Sequence, residues 1–476
     1  MTPESKQTLY VIWLSTVASI GGFLFGYDTA VISGTVNMVS SQFGMDEIAT
    51  GWYVGCALLG SIGGVMVAGY LSDRFGRKII LLLSAVLFFS SAFGCMISAD
   101  ELQLVIYRII GGVGIGVASI VSPLYIAEVS VPAYRGRLVS MYQLAITVGF
   151  LGAYLANYGL QQYSETVLAK GPVTGVFGKI FGTEVWRAML GMESLPAFIF
   201  LVILFLIPES PRWLIVKGKE SNASSILTRI FGEKEAASQI NNVKTIIASE
   251  TGTNWRMLFR PGFRMALFIG VSLAILGQFM GVNAFLYYGP SIFMESGLSS
   301  GDSLFYQSLV GAVNMLTTIL ALIIIDKVGR KKLVYWGVSG MIISLLLIGL
   351  YFSNGDSLGI PSVFLLVFFL FYIFACAISI CAVIFVLLSE MYPVKVRGAA
   401  MSVAGLSLWI GTYLIGQLTP LMLSALSPAG TFLLFAVMCV PYILIVWKLL
   451  PETTGKSLEE IEEMWINRAK GEKPKA

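Results

Sequence analysis

The sequence predicts an all-α membrane protein of twelve transmembrane helices, arranged as two bundles of six. Three observations predict it. The chain is 56% hydrophobic and only 12% charged, about half the charge of a soluble chain, which leaves too little polar surface to clothe a water-soluble globule of its size. Apolar stretches of about 20 residues, the length that crosses a bilayer, fall near 9–34, 51–72, 79–98, 103–125, 138–160 and 187–207, and again near 264–290, 303–325, 333–352, 363–388, 399–423 and 430–450. Three short texts in the first half return in the same order in the second, the mark of a tandem repeat.

The repeated texts lie in the connections. Asp73-Arg74-Phe75-Gly76-Arg77-Lys78 returns 253 positions later as Asp326-Lys327-Val328-Gly329-Arg330-Lys331. Glu128, seven residues before Arg135, returns as Glu390, seven before Arg397, and Pro208-Glu209-Ser210 returns as Pro451-Glu452-Thr453. The glycine in Asp-x-x-Gly-Arg-Lys permits a tight turn that sets an acid and two bases at neighbouring helix ends. Ion pairs among Asp73, Arg77, Glu128 and Arg135, and among Asp326, Arg330, Glu390 and Arg397, are expected to hold the inner helix ends in one state and release them in another, as a gate.

Basic residues concentrate in one set of connections, from Arg74 to Lys78, at Arg135 and Arg137, from Lys327 to Lys332, and at Lys395 and Arg397. The other set is acidic: Asp46, Glu47, Asp100, Glu101, Glu295, Asp302 and Asp356. Positive charge marks the cytoplasmic side, so both termini are expected inside. Residues 1–6 show no charged leader, and no cleaved signal peptide is expected. The chain therefore divides into a six-helix bundle (1–208), an amphipathic linker (209–262), a second bundle (263–451) and a C-terminal helix and tail (452–476). Ile226, Leu227, Ile230 and Phe231, then Ile240, Val243 and Ile247, recur helically in the linker. Ser457 and Glu460 form a capping box for the tail helix, whose Leu458, Ile461 and Trp465 share a face. Both segments carry polar faces too acidic for a typical lipid-surface helix, so they are expected to brace the bundles.

All five cysteines lie inside apolar segments, where a thiol behaves as a small hydrophobe, so neither a disulfide framework nor a metal site is expected. There is no histidine, so any proton-linked step must run through carboxylates. With no metal cluster and no nucleophile beside a base, an enzyme is not expected, nor is a cofactor or a nucleic-acid partner.

At this point the chain resembles the sugar porter family of the major facilitator superfamily, in particular bacterial xylose/proton symporters and related glucose facilitators. The resemblance rests on Gly26-Tyr27-Asp28-Thr29-Ala30, Arg108-Ile109-Ile110-Gly111-Gly112, Tyr125-Ile126-Ala127-Glu128, the run Pro208 to Leu214, Gln278 to Asn283 with Tyr287-Tyr288, Leu388-Ser389-Glu390, and Pro451-Glu452-Thr453. It covers almost the whole chain. It implies a monomer in the bacterial inner membrane that imports a small sugar with a proton by alternating access. It also admits an uncoupled facilitator, or a non-transporting sugar sensor.

Residue counting places three buried charges at one depth. Asp28 lies six residues, roughly 9 Å, from the outer end of the first span. Arg108 and Glu193 lie five to seven residues, roughly 8–10 Å, inside the fourth and sixth. An arginine beside Asp28 favours its charged form, and withdrawal of that arginine in a dry site favours proton uptake. The resemblance implies that Asp28 is the proton-coupling acid and Arg108 its partner, with Glu193 beside them.

A sugar needs uncharged amides for its hydroxyls and aromatic rings for its C–H faces. Gln143, Gln278, Asn283 and Asn314 match the family's sugar-contacting positions, and Gln417 is a further intramembrane amide. Phe25, Tyr287, Phe385 and Trp409 are the candidate rings. Gln278 is out of helical phase with Asn283 and Tyr287, which predicts a break near Gly281, and Gly289-Pro290 predicts a further interruption. The chain departs from the family at Gly277, where a glutamine is usual, and at Phe150 and Leu408, which replace amides. Cys381-Ala382-Val383-Ile384-Phe385 replaces Gly-Pro-x-x-Trp. These changes predict a more apolar pocket, suited to a deoxy sugar, a differently oriented pentose or hexose, or a polyol.

Overall fold

In hydrocarbon every backbone N–H and C=O must find a partner within the chain, and an apolar sequence of this kind answers with helices. The structure is a computed structural model that describes residues 3–131, 134–171, 174–249, 255–392, 396–450, 460–461 and 464–465. It divides into two compact units, Met1–Gly44 with Cys56–Thr251, and Met45–Gly55 with Gly252–Ala476.

Five long helices come first, α1 (Pro3–Phe43), α2 (Glu47–Phe75), α3 (Arg77–Ile97), α4 (Glu101–Val129) and α5 (Arg135–Ala169), all within the first unit except the start of α2, which up to Gly55 belongs to the second. They overrun the apolar stretches because hydropathy marks only the lipid-facing middle of a helix, whereas polar ends continue the same hydrogen-bond ladder. A short α6 (Gly175–Gly178) and a π turn lead to the sixth span, which is split into α7 (Trp186–Gly191) and α8 (Ser194–Leu204). Glu193 sits at that split.

The linker forms α9 (Pro211–Val216), α10 (Glu220–Phe231) and α11 (Glu233–Ser249). Its periodic apolar residues close a small core: Leu214, Ile215, Ala223, Leu227 and Ala236 are buried, with Trp213, Ile226, Phe231, Ile240 and Val243 packed on them. A Lys244–Glu220 ion pair at 2.8 Å crosses its rim.

The seventh span is broken where the phase conflict of Gln278 predicts, into α12 (Pro261–Phe279) and α13 (Val282–Glu295). Gly281 between them has φ +93°, the left-handed region that side chains with a Cβ avoid, and a Cβ there would stand 2.4 Å from the Phe435 ring. Gly281→Ala is expected to lose about 1–3 kcal/mol from backbone strain alone, read as a lowered melting temperature of the purified protein in detergent.

The expected interruption at Gly289-Pro290 does not occur, and α13 runs through it. Pro290 lacks an N–H and so deprives the Leu286 carbonyl of its helix partner. Gln307 supplies the substitute, its Nε2 donating to Leu286 O (3.3 Å) and Phe285 O (3.2 Å).

The remaining helices are α14 (Ser300–Val328), α15 (Arg330–Leu358), α16 (Ser362–Cys376), a π turn (Ala377–Cys381), α17 (Ala382–Met391) and α18 (Arg397–Lys448). At 52 residues, α18 would be about 78 Å long, twice what a bilayer needs. Ser427, at φ 61° and ψ 164°, cuts it in two. It precedes Pro428, which disfavours helical geometry in the residue before it. Among the described residues this gives twelve spans. The capping-box Ser457 and Leu458 lie outside the described residues, but Ile461 and Trp465 of the tail helix are buried, and Trp465 Nε1 donates to Met391 O at the end of α17 (2.9 Å).

Candidate functional site

Three ionisable side chains converge inside the first unit. Asp28 on α1 is fully buried, and its Oδ1 accepts a close, charge-assisted hydrogen bond from Arg108 Nη1 on α4. Glu193 is 2% exposed and lies within electrostatic range of both. Neither Asp28 Oδ2 nor Glu193 Oε1 has a hydrogen-bond partner. Buried polar atoms are seldom left in that state, and two carboxyl oxygens of this kind beside one arginine form a site able to accept a proton.

What makes room for it is Gly111, one turn beyond Arg108 on α4. A Cβ at that position would stand 2.7 Å from Asp28 Oδ2 and 2.4 Å from Ser91 Oγ. Gly111 and Ser91 therefore shape the site, as does Tyr27, whose buried hydroxyl lacks a partner and feels the Glu193 charge. Sequence reasoning did not single out Ser91, and it named Tyr27 only as part of the text from Gly26 to Ala30, with no role at the site. Nothing in the local pattern distinguishes a buried Ser or Tyr that faces a charge from one that packs.

In the second unit the break at Gly281 brings Gln278 and Asn283 together. Asn283 Nδ2 donates to Gln278 Oε1 (2.7 Å), and Thr412 Oγ1 on α18 donates to the same oxygen (3.1 Å). Thr412 lies one turn past Leu408 and returns some of the polarity lost there; sequence reasoning missed it. Tyr287 on α13 and Asn314 on α14 are buried, and Trp409 is half-buried on α18. Phe25 and Gln143 are half-buried in the first unit, on α1 and α5. The side chain of Phe385 lies outside the described residues. Gln417 is not part of this group, since its Nε2 donates to Ile48 O (3.0 Å).

The repeated motifs build two matching networks. In the first unit Arg77 clamps Glu128 through Nε (2.9 Å) and Nη2 (3.0 Å), and reaches Asp73 (3.0 Å) and Ser72 O (3.0 Å). Ser210 Oγ also donates to Glu128. Glu209 reaches back 132 and 131 residues to cap α3, accepting from Arg77 N (2.9 Å) and Lys78 N (3.1 Å). Burial pushes the Glu209 carboxyl above its ordinary range, against the lowering influence of the N–H groups of Ser210, Lys78 and Arg77.

In the second unit Arg330 Nη2 pairs with Glu390 Oε1 (2.9 Å), and its Nη1 reaches Ile325 O (3.4 Å). Lys331 Nζ reaches Leu450 O (3.0 Å), as Lys78 Nζ reaches Phe205 O (3.0 Å). The glutamates thus meet the motif arginines, Arg77 and Arg330, rather than Arg135 or Arg397. Arg135 is exposed, and Arg397 Nε donates to Tyr392 O (3.4 Å). The Asp326 side chain lies outside the described residues.

Comparison with known proteins gives consistent matches over nearly the full length. Residues 14–465 match the family model for the sugar (and other) transporters. The arabinose-proton symporter of Bacillus subtilis is 39% identical over 463 residues, covering 97% of each chain. The D-xylose-proton symporter of Escherichia coli is 37% identical over 489 residues, covering 96% of each. Among solved structures, the inward open conformation of the xylose transporter XylE from E. coli matches with a TM-score of 0.82 at 35% identity, over 96% of this chain and all of that one.

Proposed function

The chain belongs to the sugar porter family of the major facilitator superfamily, and from that premise we propose that it imports a small sugar together with a proton by alternating access. The observation that carries the coupling is the buried Asp28–Arg108 pair with Glu193 beside it. A charge deep in a spanning segment is costly and usually functional, and here the acid has both a counter-ion and an unpartnered oxygen. In this reading the proton binds at Asp28 when Arg108 is drawn away, and Glu193 tunes that exchange. The protein works as a monomer in the bacterial inner membrane with both termini in the cytoplasm. The Arg77–Glu128 and Arg330–Glu390 networks then face the cytoplasm and serve as the gate.

Arabinose, xylose and glucose are named for the relatives, which supports a pentose or hexose here. Gln143, Gln278, Asn283 and Asn314 bind its hydroxyls. Gln278 Oε1 already accepts from Asn283 and Thr412, which leaves Nε2 as the group that Gln278 offers a sugar hydroxyl. Phe25, Tyr287, Phe385 and Trp409 cover the sugar's apolar faces. With Phe150, Leu408 and Gly277 at positions that are polar in the family, the pocket favours a sugar with one hydroxyl fewer or differently placed.

Gln278→Leu is expected to remove a ligand hydrogen bond and to break the Asn283–Thr412 bridge. At about 0.5–1.5 kcal/mol for each neutral hydrogen bond, sugar affinity should fall roughly tenfold, measured by calorimetric titration. The experiment that tests the function is sugar accumulation in cells or vesicles with and without a protonophore. Collapse of the gradient supports symport, and accumulation unaffected by the protonophore contradicts it.

A further inference from the structure

The thiols of Cys376 and Cys381 stand 3.6 Å apart, sulfur to sulfur. On a regular helix, residues five apart point about 140° away from each other. These two meet because residues 377–381 form a π turn, whose i→i+5 repeat stacks them on one face. Ser379 holds the bulge, its hydroxyl donating to Ala375 O (2.6 Å) and filling the space that a Cβ on Gly337 of α15 would take. Cys376 is buried and Cys381 half-buried, so Cys381 is the more exposed residue of the two. Cys56, Cys95 and Cys439 are all buried.

We propose that Cys376 and Cys381 form a dithiol site for trivalent arsenic compounds, and that its occupation fixes α16 and α17 in the bulged form. An aryl arsenoxide suits the position, because its apolar ring partitions into the bilayer. Cys381 sulfur attacks arsenic first and Cys376 sulfur closes the ring. Two As–S bonds form, the arsenic–oxygen bond is lost, the two thiol protons leave with that oxygen as one water, and nothing is oxidised or reduced. Relaxation of the π turn to a regular helix would swing the sulfurs apart, so the bridge opposes it. The effect on transport rests on the function proposed above, whereas formation of the adduct does not.

The test treats purified protein with phenylarsine oxide, reads the adduct by intact mass spectrometry, and measures sugar uptake by the same protein in proteoliposomes. The expected result is one arsenic per chain, removed by dimercaptopropanol but not by an equal concentration of monothiol, with uptake reduced to background. Cys376→Ala and Cys381→Ala should each abolish both effects; Cys376→Ser and Cys381→Ser give the same test should an alanine variant fold poorly. A stable adduct in either single variant overturns the site. An adduct in the unsubstituted protein that leaves uptake unchanged overturns the locking of the bulge.

Discussion

Asp28→Asn is expected to abolish uphill sugar accumulation while leaving sugar exchange across the membrane in place. One proton moved through 100 mV carries about 2.3 kcal/mol, enough for roughly 50-fold accumulation at about 1.4 kcal/mol per tenfold. Asparagine keeps the shape of the side chain and its hydrogen bond to Arg108, but stands permanently in place of the protonated acid. The cycle of loading and unloading then disappears, and accumulation should fall to about unity. Measured beside counterflow in the same vesicles, the variant separates coupling from binding. Full uphill accumulation by the variant would remove Asp28 from the mechanism.

The second large effect separates the two networks built by the repeated motif. Arg77 and Glu128 have side chains 9% and 4% exposed, whereas those of Arg330 and Glu390 are 12% and 26% exposed. Removing one partner of a buried pair strands the other charge and costs about 3–5 kcal/mol. A pair whose acid is a quarter exposed is screened by solvent, and its loss should cost about 1 kcal/mol or less. Arg77→Ala is therefore expected to lower the unfolding temperature far more than Arg330→Ala, in spite of their identical motif. Equal losses, measured by thermal unfolding in the same detergent, would show that burial is not what distinguishes them.

These particulars also show which features can be read from a chain of this kind. The span count follows from apolar length, because in a bilayer no other solution satisfies the backbone. The break at Gly281 is legible because Gln278, Asn283 and Tyr287 cannot share a face on an unbroken helix. The continuity of α13 through Pro290 is not legible, since the side chain that satisfies the orphaned carbonyl, Gln307, belongs to another helix. In the same way, Pro208-Glu209-Ser210 is visible as a repeated text, but its work as the cap of α3 depends on a contact across more than 130 residues. Arg135 and Arg397 repeat at a fixed spacing from Glu128 and Glu390, yet the acids turn to Arg77 and Arg330. Spacing along the chain gave the residue types, and helix packing chose among them. The π turn at 377–381 has no sequence signal beyond the absence of Gly-Pro, since small and polar residues permit a bulge without dictating it.

The most direct test of the central claim is the movement of protons on addition of sugar to proteoliposomes containing the purified protein, with no membrane potential imposed and a pH indicator outside. Symport through Asp28 predicts alkalinisation of the outer medium when a transported pentose or hexose is added, and no such change with Asp28→Asn. Sugar entry by the unsubstituted protein with no accompanying proton movement would contradict the account.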